Sequence, residues 1–413
     1  MTSHPTNVVI IGAGECGTRA ALALREAGYR GRLALIGEEP SQPYERPVLS
    51  KSVLTSDDAK LPADICTVGQ LTGLDIAFEP GTAAAQIDRD AAEVVLADGR
   101  RRPYDRLLIA TGARARIPAV EGADAALTLR SLADAMRLRD RLTAGASVVV
   151  IGGGFIGLEV AASAAARGCA VTVVEFSHQL MSRIVPALVA AEMHVRHALA
   201  GVEILYGVGV ERIDVDGTSH RVVLTSGAVL VCDVVVSGVG AVPNTELAGA
   251  SGLALHNGIA VDEQLRTADP LIFAAGDCCS FPHPLYRGIR VRLEAWRNAL
   301  EQAAVVASNM LGGDAVCDSV PWFWSDQYEL TIQIAGLHAC AVRDVVRRRD
   351  DGVDLRFGLD YDGRLVSASG ISEGSAIGRD IRLAEMLIAA RATPSVTDLA
   401  DPAIGLRSLL PKP

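Results

Sequence analysis

The chain has 413 residues, more than one hydrophobic core ordinarily organises, so about two to four domains are expected. Its 49% hydrophobic and 21% charged residues, with 40 glycines, supply material for large buried sheets, and a net charge of −10 argues against nucleic acid or an anionic membrane as the main partner. No basic-then-apolar leader, long apolar run, CxxC pair or His/Cys ligand spacing is visible, so the expectation is a cytoplasmic protein with reduced thiols, no membrane span and no metal.

The first predicted strand, Val8 to Ile11, runs into Gly12-Ala13-Gly14-Glu15-Cys16-Gly17 and then an Ala-rich helical stretch from Thr18 to Ala27. In such a turn the first glycine makes the tight exit from the strand, the second lets backbone N–H groups approach a pyrophosphate, and the third lets helix and strand pack closely. A strand from Leu33 to Gly37 then leads to Glu38, near the distance at which a carboxylate holds a ribose 2′-hydroxyl. A polar, proline-bearing stretch, Ser41 to Lys51, follows. Asp98-Gly99 is a strong hairpin signal between Ala92 to Leu96 and Arg106 to Ala110. The second of these arms runs into the small residues Thr111-Gly112.

The glycine pattern then returns. A strand from Val148 to Ile151 enters Gly152-Gly153-Gly154-Phe155-Ile156-Gly157, followed by a helical stretch from Leu158 to Arg167, a strand from Val171 to Val174, and Glu175. One such fingerprint is weak; two in full strand–turn–helix–strand–acid context predict two bound dinucleotides. The residues after Glu175, Phe176-Ser177-His178, offer no arginine for a 2′-phosphate, so NADH is expected in the second site rather than NADPH. Val234 to Val236 leads into Ser237-Gly238-Val239-Gly240, an exit like that at Thr111-Gly112. The two exits bracket the second fingerprint, so the second nucleotide domain reads as inserted into the first.

The first domain resumes and reaches Leu271 to Asp277, an apolar strand with an acid at its carboxyl end, where open α/β sheets bind ligands. A helix from Leu293 to Leu311 and the punctuation Gly312-Gly313 follow. Pro321-Trp322-Phe323-Trp324-Ser325-Asp326-Gln327-Tyr328 then concentrates two of the chain's three tryptophans. Because Trp322 and Trp324 alternate, one is expected in the core and the other facing outward or toward a cofactor. Strands at Leu330 to Ala335, Val353 to Leu359 and Arg364 to Ser369 and a helix from about Arg379 to Ala390 read as a smaller α+β domain, with the charged run Arg343 to Asp351 as a solvated turn. The expected boundaries are 1–113 and 242–318 for the first nucleotide domain, 114–241 for the second and 319–413 for the last.

Several segments together carry a family resemblance: Val9 to Gly14, Pro43-Tyr44-Glu45-Arg46-Pro47 with Leu49-Ser50-Lys51, Ala110-Thr111-Gly112, Val149 to Ala161, Phe273 to Asp277, Val291 to Ala299 and Pro321 to Tyr328. On these residues the chain resembles the FAD-dependent, NADH-dependent ferredoxin reductases of bacterial oxygenase systems, the family of putidaredoxin reductase and of the reductases of aromatic-ring dioxygenases. The resemblance implies an α/β fold of two Rossmann-like dinucleotide-binding domains, one inserted in the other in the manner of glutathione reductase, plus a C-terminal α+β domain. It implies the cofactors FAD and NADH and a [2Fe–2S] ferredoxin as partner. Cys16 and Val48 depart from the usual residues of their motifs.

Residue by residue, the resemblance assigns Gly12, Gly14, Gly17 and Glu38 to FAD, with Arg46, Pro47, Ala84, Thr111, Gly112, Arg130, Asp277 and Trp296 as further contacts. Gly152, Gly154 and Gly157 with Glu175 are assigned to NADH, and Phe155, Ile156 and Gly240 complete the expected cofactor contacts. Lys51 is expected beside the flavin near N5, Glu159 is expected to point toward nicotinamide and flavin, and Trp324 is expected near the flavin edge. Plainer readings stand beside these. Lys51 is one of only three lysines among 39 basic residues, which favours a role a guanidinium cannot fill. Glu159 can serve simply as a helix-start carboxylate, and Asp277 as a helix N-cap. No cysteine lies between Tyr44 and Lys51, so neither the dithiol pair of glutathione-reductase-like enzymes nor the lone redox cysteine of NADH peroxidases is expected. Direct oxidation by oxygen, as in an NADH oxidase, or slow redox sensing, as in apoptosis-inducing factor, stays open. For docking an acidic ferredoxin, the arginines at 287, 290, 292, 297, 379 and 382 are candidates for a local basic surface.

Overall fold

The structure is a computed structural model that describes residues 5–56, 61–182 and 184–411. The chain forms two compact units: Met1–Glu45, Pro62–Arg114 and Val242–Pro321 make one, and Arg46–Leu61, Ala115–Ala241 and Trp322–Pro413 make the other.

The first unit is organised by a five-stranded parallel sheet in the order Ile272–Ala274, Arg106–Ile109, Asn7–Ile11, Arg32–Ile36, Ala77–Glu79. These strands are apolar nearly throughout, the pattern of a sheet covered on both faces, and Ile10, Leu107, Leu108 and Phe273 are buried at its centre. That character explains a departure from expectation. Asp98-Gly99 does turn a hairpin, but Glu93–Leu96 pairs with Arg101–Pro103, while Arg106–Ile109 lies between Asn7–Ile11 and Ile272–Ala274. A strand as apolar as Arg-Leu-Leu-Ile gains more by burial between two parallel neighbours than as the outer arm of a hairpin. Helix Glu15–Glu26 packs along helix Trp296–Met310, with Ala20, Ala21, Ala299, Ala303 and Ala307 buried, small residues that permit close approach. The strand ends Ile11, Ile109 and Ala274 fall in register, so the turns beginning at Gly12, Thr111 and Gly276 leave the sheet at one edge.

The second unit contains a four-stranded parallel sheet in the order Glu203–Tyr206, Ala170–Glu175, Ser147–Ile151, Val234–Ser237. Its residues 322–373 form a five-stranded antiparallel sheet, Trp322–Gln327, Leu330–Gly336, Leu365–Glu373, Asp354–Leu359 and Arg343–Arg348 in spatial order, with helix Gly378–Ala389 packed against the middle. Arg343–Arg348 is thus a paired strand, not the solvated turn its charge suggests. Alternation decides it: Val345 and Arg347 are buried while Arg343, Asp344 and Arg348 are exposed, and the Arg347 guanidinium donates to the carbonyls of Leu399, Asp398 and Ile404. One hydrophobic cluster joins Phe155 and Leu158 of helix Phe155–Ala166 with Val189 and Met193 of helix Ala187–Leu199 and Ile332, Ile334 and Ile371 of the antiparallel sheet. Among the described residues no helix is long and apolar enough to cross a membrane.

Candidate functional site

The first glycine turn has the geometry of a phosphate cradle. Gly12 takes φ +109°, and a Cβ there would lie 2.2 Å from the Ala110 carbonyl oxygen; a Cβ on Gly17 would lie 1.9 Å from the Gly12 oxygen. Both positions therefore admit only glycine. Gly14 is different, because nothing lies within 4 Å of its would-be side chain. Gly14 is also the N-cap of helix Glu15–Glu26 and supplies no side-chain hydrogen bond, so the first-turn N–H groups take no cap from it and the positive end of the helix dipole lies behind them. That is what a dinucleotide pyrophosphate requires, and the residues fit FAD. Burial pushes the Glu15 carboxyl up, and its partner Arg19, 2.9 Å away, opposes that rise only in part.

Around that turn the other first-unit residues gather from distant parts of the chain. Thr111 donates from Oγ1 to the Asn244 carbonyl at 2.7 Å, Asn244 Nδ2 donates to the Thr111 carbonyl at 2.9 Å, and Asn244 N–H to Gly112 O at 2.9 Å, which clamps the chain crossing. Asp277 is half-buried inside a 3₁₀ turn, Gly276–Cys278, whose N-cap is Ala275, so it is not itself an N-cap. Gly276 N–H donates to Gln302 Oε1 at 2.7 Å, tying this turn to helix Trp296–Met310. Trp296 opens that helix, whose N-cap Ala295 provides no side-chain bond. Glu38 is exposed two residues beyond strand Arg32–Ile36, and Ala84 is half-buried at the start of strand Ala84–Asp88.

The second turn repeats the design. Gly152 has φ +102°, a Cβ on Gly157 would sit 2.1 Å from the Gly152 oxygen, and Gly154 caps helix Phe155–Ala166 with no side-chain bond and only the Gly238 oxygen, 3.7 Å off, near its would-be Cβ. Glu175 Oε2 accepts the Gly153 N–H and Oε1 the Ser177 N–H, each at 2.6 Å, so the carboxylate is locked against the glycine loop. The two acids do not occupy equivalent positions. Ile11 pairs with Ile36 and Ile151 with Val174, so Glu175 matches Gly37, and Glu38 stands one residue farther along. Ile156 is exposed in the first helical turn, Phe155 packs on Phe323 with ring centroids 4.4 Å apart, and Gly240 takes φ +101° and accepts from Arg116 N–H.

Also in the second unit, Lys51 and Glu159 form an ion pair. Lys51 precedes helix Ser52–Thr55; its Nζ lies 2.8 Å from Glu159 Oε2 and donates to the Pro47 carbonyl at 3.2 Å. Glu159 is the fifth residue of its helix and 4% exposed, so it is past the first turn and is not a helix-start carboxylate. Its burial is supported by three donors: Lys51, the Ser50 hydroxyl on Oε2, and the Ser325 hydroxyl on Oε1 at 2.5 Å. Removing a partner from such a buried set is costly, because a charge is left without compensation. Ser163 Oγ donates to the Ser50 carbonyl at 2.6 Å and fixes the segment that carries Lys51. Arg46 donates to the Arg130 carbonyl at 2.7 Å.

One further expectation changes. Trp322 and Trp324 do not divide between core and exterior: residues two apart in a strand share a face, and their rings stack at 5.3 Å while Phe323 takes the opposite face. Trp324 Nε1 donates to Asp326 Oδ2 at 3.1 Å. Four candidates for the basic docking surface have partners within the chain. Arg290 donates to the carbonyls of Val261 and Ser280, Arg292 and Arg297 pair with Glu294 and Glu301, and Arg382 pairs with Glu385. Arg287 and Arg379 are exposed. Residue-type reasoning missed Ser50, Ser325 and Asn244. Ser50 and Ser325 stand inside the quoted motifs, but only the fold shows that both reach one carboxylate.

Comparison with known proteins agrees with this geometry. The pyridine nucleotide-disulphide oxidoreductase family model matches residues 6–303, and the reductase C-terminal model matches residues 322–410. The chain is 41% identical over 405 residues, 97% of its length and 98% of the relative's, to the ferredoxin–NAD(+) reductase component of the anthranilate 1,2-dioxygenase system of Burkholderia cepacia. It is similar to the crystal structure of the ferredoxin reductase for the CYP199A2 system from Rhodopseudomonas palustris, with TM-score 0.93 and 36% identity, covering 98% of this chain and 100% of that one. It is also similar to a chain of the covalent putidaredoxin reductase–putidaredoxin complex, with TM-score 0.91 and 34% identity, covering 98% of each. With two glycine cradles in family order and these matches over nearly its whole length, the chain belongs to the pyridine nucleotide-disulphide oxidoreductase family and carries that family's reductase C-terminal domain.

Proposed function

We propose that this chain is an NADH-dependent ferredoxin reductase, taking a hydride from NADH onto FAD and passing electrons singly to a [2Fe–2S] ferredoxin that serves a cytochrome P450 or Rieske-type oxygenase. The observation that carries this reading is the pair of uncapped helix N-termini above glycine turns, at Gly14 and Gly154, combined with the half-buried Lys51 held by the buried Glu159. FAD, when bound, supplies the chemistry that accepts two electrons together and releases them one at a time. In this assignment the N–H groups beyond Gly14 would hold the FAD pyrophosphate, Glu38 its adenosine ribose, and Thr111, Asp277 and Trp296 the rest of the cofactor. The N–H groups beyond Gly154 would hold the NADH pyrophosphate and Glu175 its adenosine ribose. Lys51 presents an ammonium held by Glu159 and Pro47, so its charge is oriented before substrate arrives. Burial raises the Cys16 and Cys279 thiols well above their ordinary range, and all eight cysteines are free, which supports a reducing cytoplasm. Names of the relatives above support a ferredoxin as acceptor.

The test uses purified holoprotein. Denaturation should release about one FAD per chain, and NADH should reduce a [2Fe–2S] ferredoxin rapidly while oxygen alone turns over slowly. FMN in the released fraction, or NADH oxidation equally fast without any carrier protein, would overturn the proposal.

A further inference from the structure

Glu159 stands at one end of a longer hydrogen-bond chain inside the second unit. Ser325 Oγ donates to Glu159 Oε1 at 2.5 Å, and Gln327 Nε2 donates to Ser325 Oγ at 3.1 Å. Gln327 Oε1 meets His197 Nε2 at 2.8 Å, and His197 Nδ1 meets Tyr328 Oη at 3.1 Å. The members come from two elements far apart in sequence, helix Ala187–Leu199 and strand Trp322–Gln327 with its following turn. Ser325, Gln327 and His197 are buried at 0–1% exposure, so none of these groups has water as an alternative partner.

One end fixes every direction. As the ionic partner of Lys51, Glu159 only accepts, so the Ser325 hydroxyl must spend its proton there and accept from the Gln327 amide. The Gln327 oxygen then faces His197, which must donate from Nε2. His197 Nδ1 is left with a lone pair, and Tyr328 must donate to it. All four bonds therefore run the same way, toward the carboxylate, and aligned bonds in a low-dielectric interior strengthen one another. Two further facts agree. Burial holds His197 down to about 4, opposed by its hydrogen bond to Gln327 and helped by the charges of Arg196 and His194 on its own helix, and burial lifts Tyr328 to about 12. Arg196 lies 3.9 Å from the Tyr328 ring centroid and pairs with Glu329 at 2.6 Å, anchoring the outer end. Glu159 itself is faced by Lys51 and Ser50 from the preceding segment and by Ser325 from the strand.

We propose that Ser325, Gln327, His197 and Tyr328 are positioning residues for the reductive half-reaction: their one-way donor chain fixes the Glu159 carboxylate, and through it the orientation of the Lys51 ammonium. The inference rests on the NADH-dependent reading above. It links residues 322–328, at the start of the reductase C-terminal domain, to the lysine that serves hydride transfer, a task separate from any docking role of that domain.

Two measurements test it. In holoprotein labelled with ¹⁵N-histidine, long-range ¹⁵N–¹H spectra should show His197 as the neutral Nε2–H tautomer from about pH 5.5 to 8. An Nδ1–H tautomer, or a charged ring in that range, would reverse the chain and overturn the proposal without touching the assignment of function. In stopped-flow reduction by NADH, Ser325→Ala should lower the limiting rate about ten-fold, the worth of one hydrogen bond to a charged group, with NADH affinity unchanged. Ser325→Thr, which keeps the hydroxyl, should restore it. In a Glu159→Gln background, Ser325→Ala should have no further effect. An equal loss in both backgrounds, or a loss of NADH affinity at an unchanged limiting rate, would show that Ser325 acts only on the fold. Should Ser325→Ala not fold, Tyr328→Phe removes only the outermost donor. It should move the His197 Nδ1 resonance and lower the limiting rate, and no change in either would overturn the proposal. Wild-type protein that NADH does not reduce at all would instead defeat the functional reading itself.

Discussion

Lys51 and Glu175 show how differently two charged residues can be built into one chain. Lys51 holds its partner 108 positions away in sequence through a 2.8 Å contact, and its side chain is 23% exposed, enough to meet a ligand. Lys51→Ala should slow NADH-driven flavin reduction by about ten-fold or more while FAD content stays near one per chain, because the phosphate contacts lie elsewhere. Lys51→Arg should not restore the rate, since a planar guanidinium does not replace a compact ammonium between Glu159 and the Pro47 carbonyl. Rapid-mixing absorbance beside a cofactor assay separates these outcomes. Glu175 is held locally, by Gly153 and Ser177 N–H. Glu175→Gln removes the charge but keeps one acceptor, so NADPH should gain relative to NADH. Adding Phe176→Arg, at a position 77% exposed, should carry the preference further toward NADPH. The ratio of kcat/KM for the two coenzymes measures this, and an unchanged ratio would remove Glu175 from the specificity argument. The NADH expectation needed only the sequence, because strand, acid and following residues are consecutive. The carboxylate's grip on the glycine loop needed the structure.

At the scale of elements, the first glycine turn separates what the fold requires from what a ligand requires. Gly17→Ala places a methyl 1.9 Å from a backbone oxygen, whereas Gly14→Ala meets nothing within 4 Å at an ordinary negative φ. Gly17→Ala should therefore lower the melting temperature or abolish soluble protein. Gly14→Ala should leave the apoprotein's melting temperature within a few degrees of wild type yet weaken FAD retention, because the added methyl stands where the cofactor must approach. Thermal melts of apo and holo forms distinguish the two. Both turns were legible from sequence because strand, turn and helix are neighbours within about thirty residues. The second arm of the Asp98-Gly99 hairpin and the strand Arg343–Arg348 were not. Which strand pairs with which is settled by burial against partners that local sequence does not contain, as the parallel placement of Arg106–Ile109 shows.

For the whole molecule, each unit carries one fully buried histidine among the described residues. His197 and His283 are 0% exposed, and burial holds both to about 4, against 6.5 for a free side chain. The unfolded chain therefore takes up these protons near 6.5, the folded chain only near 4. Between those values the unfolded state binds more protons, so stability falls as pH falls, by about 3 kcal/mol per histidine once both states are titrated. Melting temperature should accordingly decline from about pH 6.5 to 4. His283→Gln, which never titrates, should flatten part of that slope, and a slope unchanged in the variant would show that other groups govern the acid limb. The site was legible in part. Lys51 and Glu159 each stood in a recognised segment, but their shared environment did not, because Ser325 reaches Glu159 across 166 residues and Ser50 across 109.

By itself, the sequence determined the two glycine-turn units, their order, and the expectation of FAD and NADH. Each of these is written in short stretches where backbone geometry and side-chain chemistry are local. Tertiary structure alone decided that Trp322 stacks on Trp324, that Arg290 serves backbone carbonyls, and that a one-way chain of donors ends on Glu159. The physical reason is common to all three. A buried polar group or ring must find its partner, and the partner is whatever the packed core brings within reach, however far away it lies along the chain.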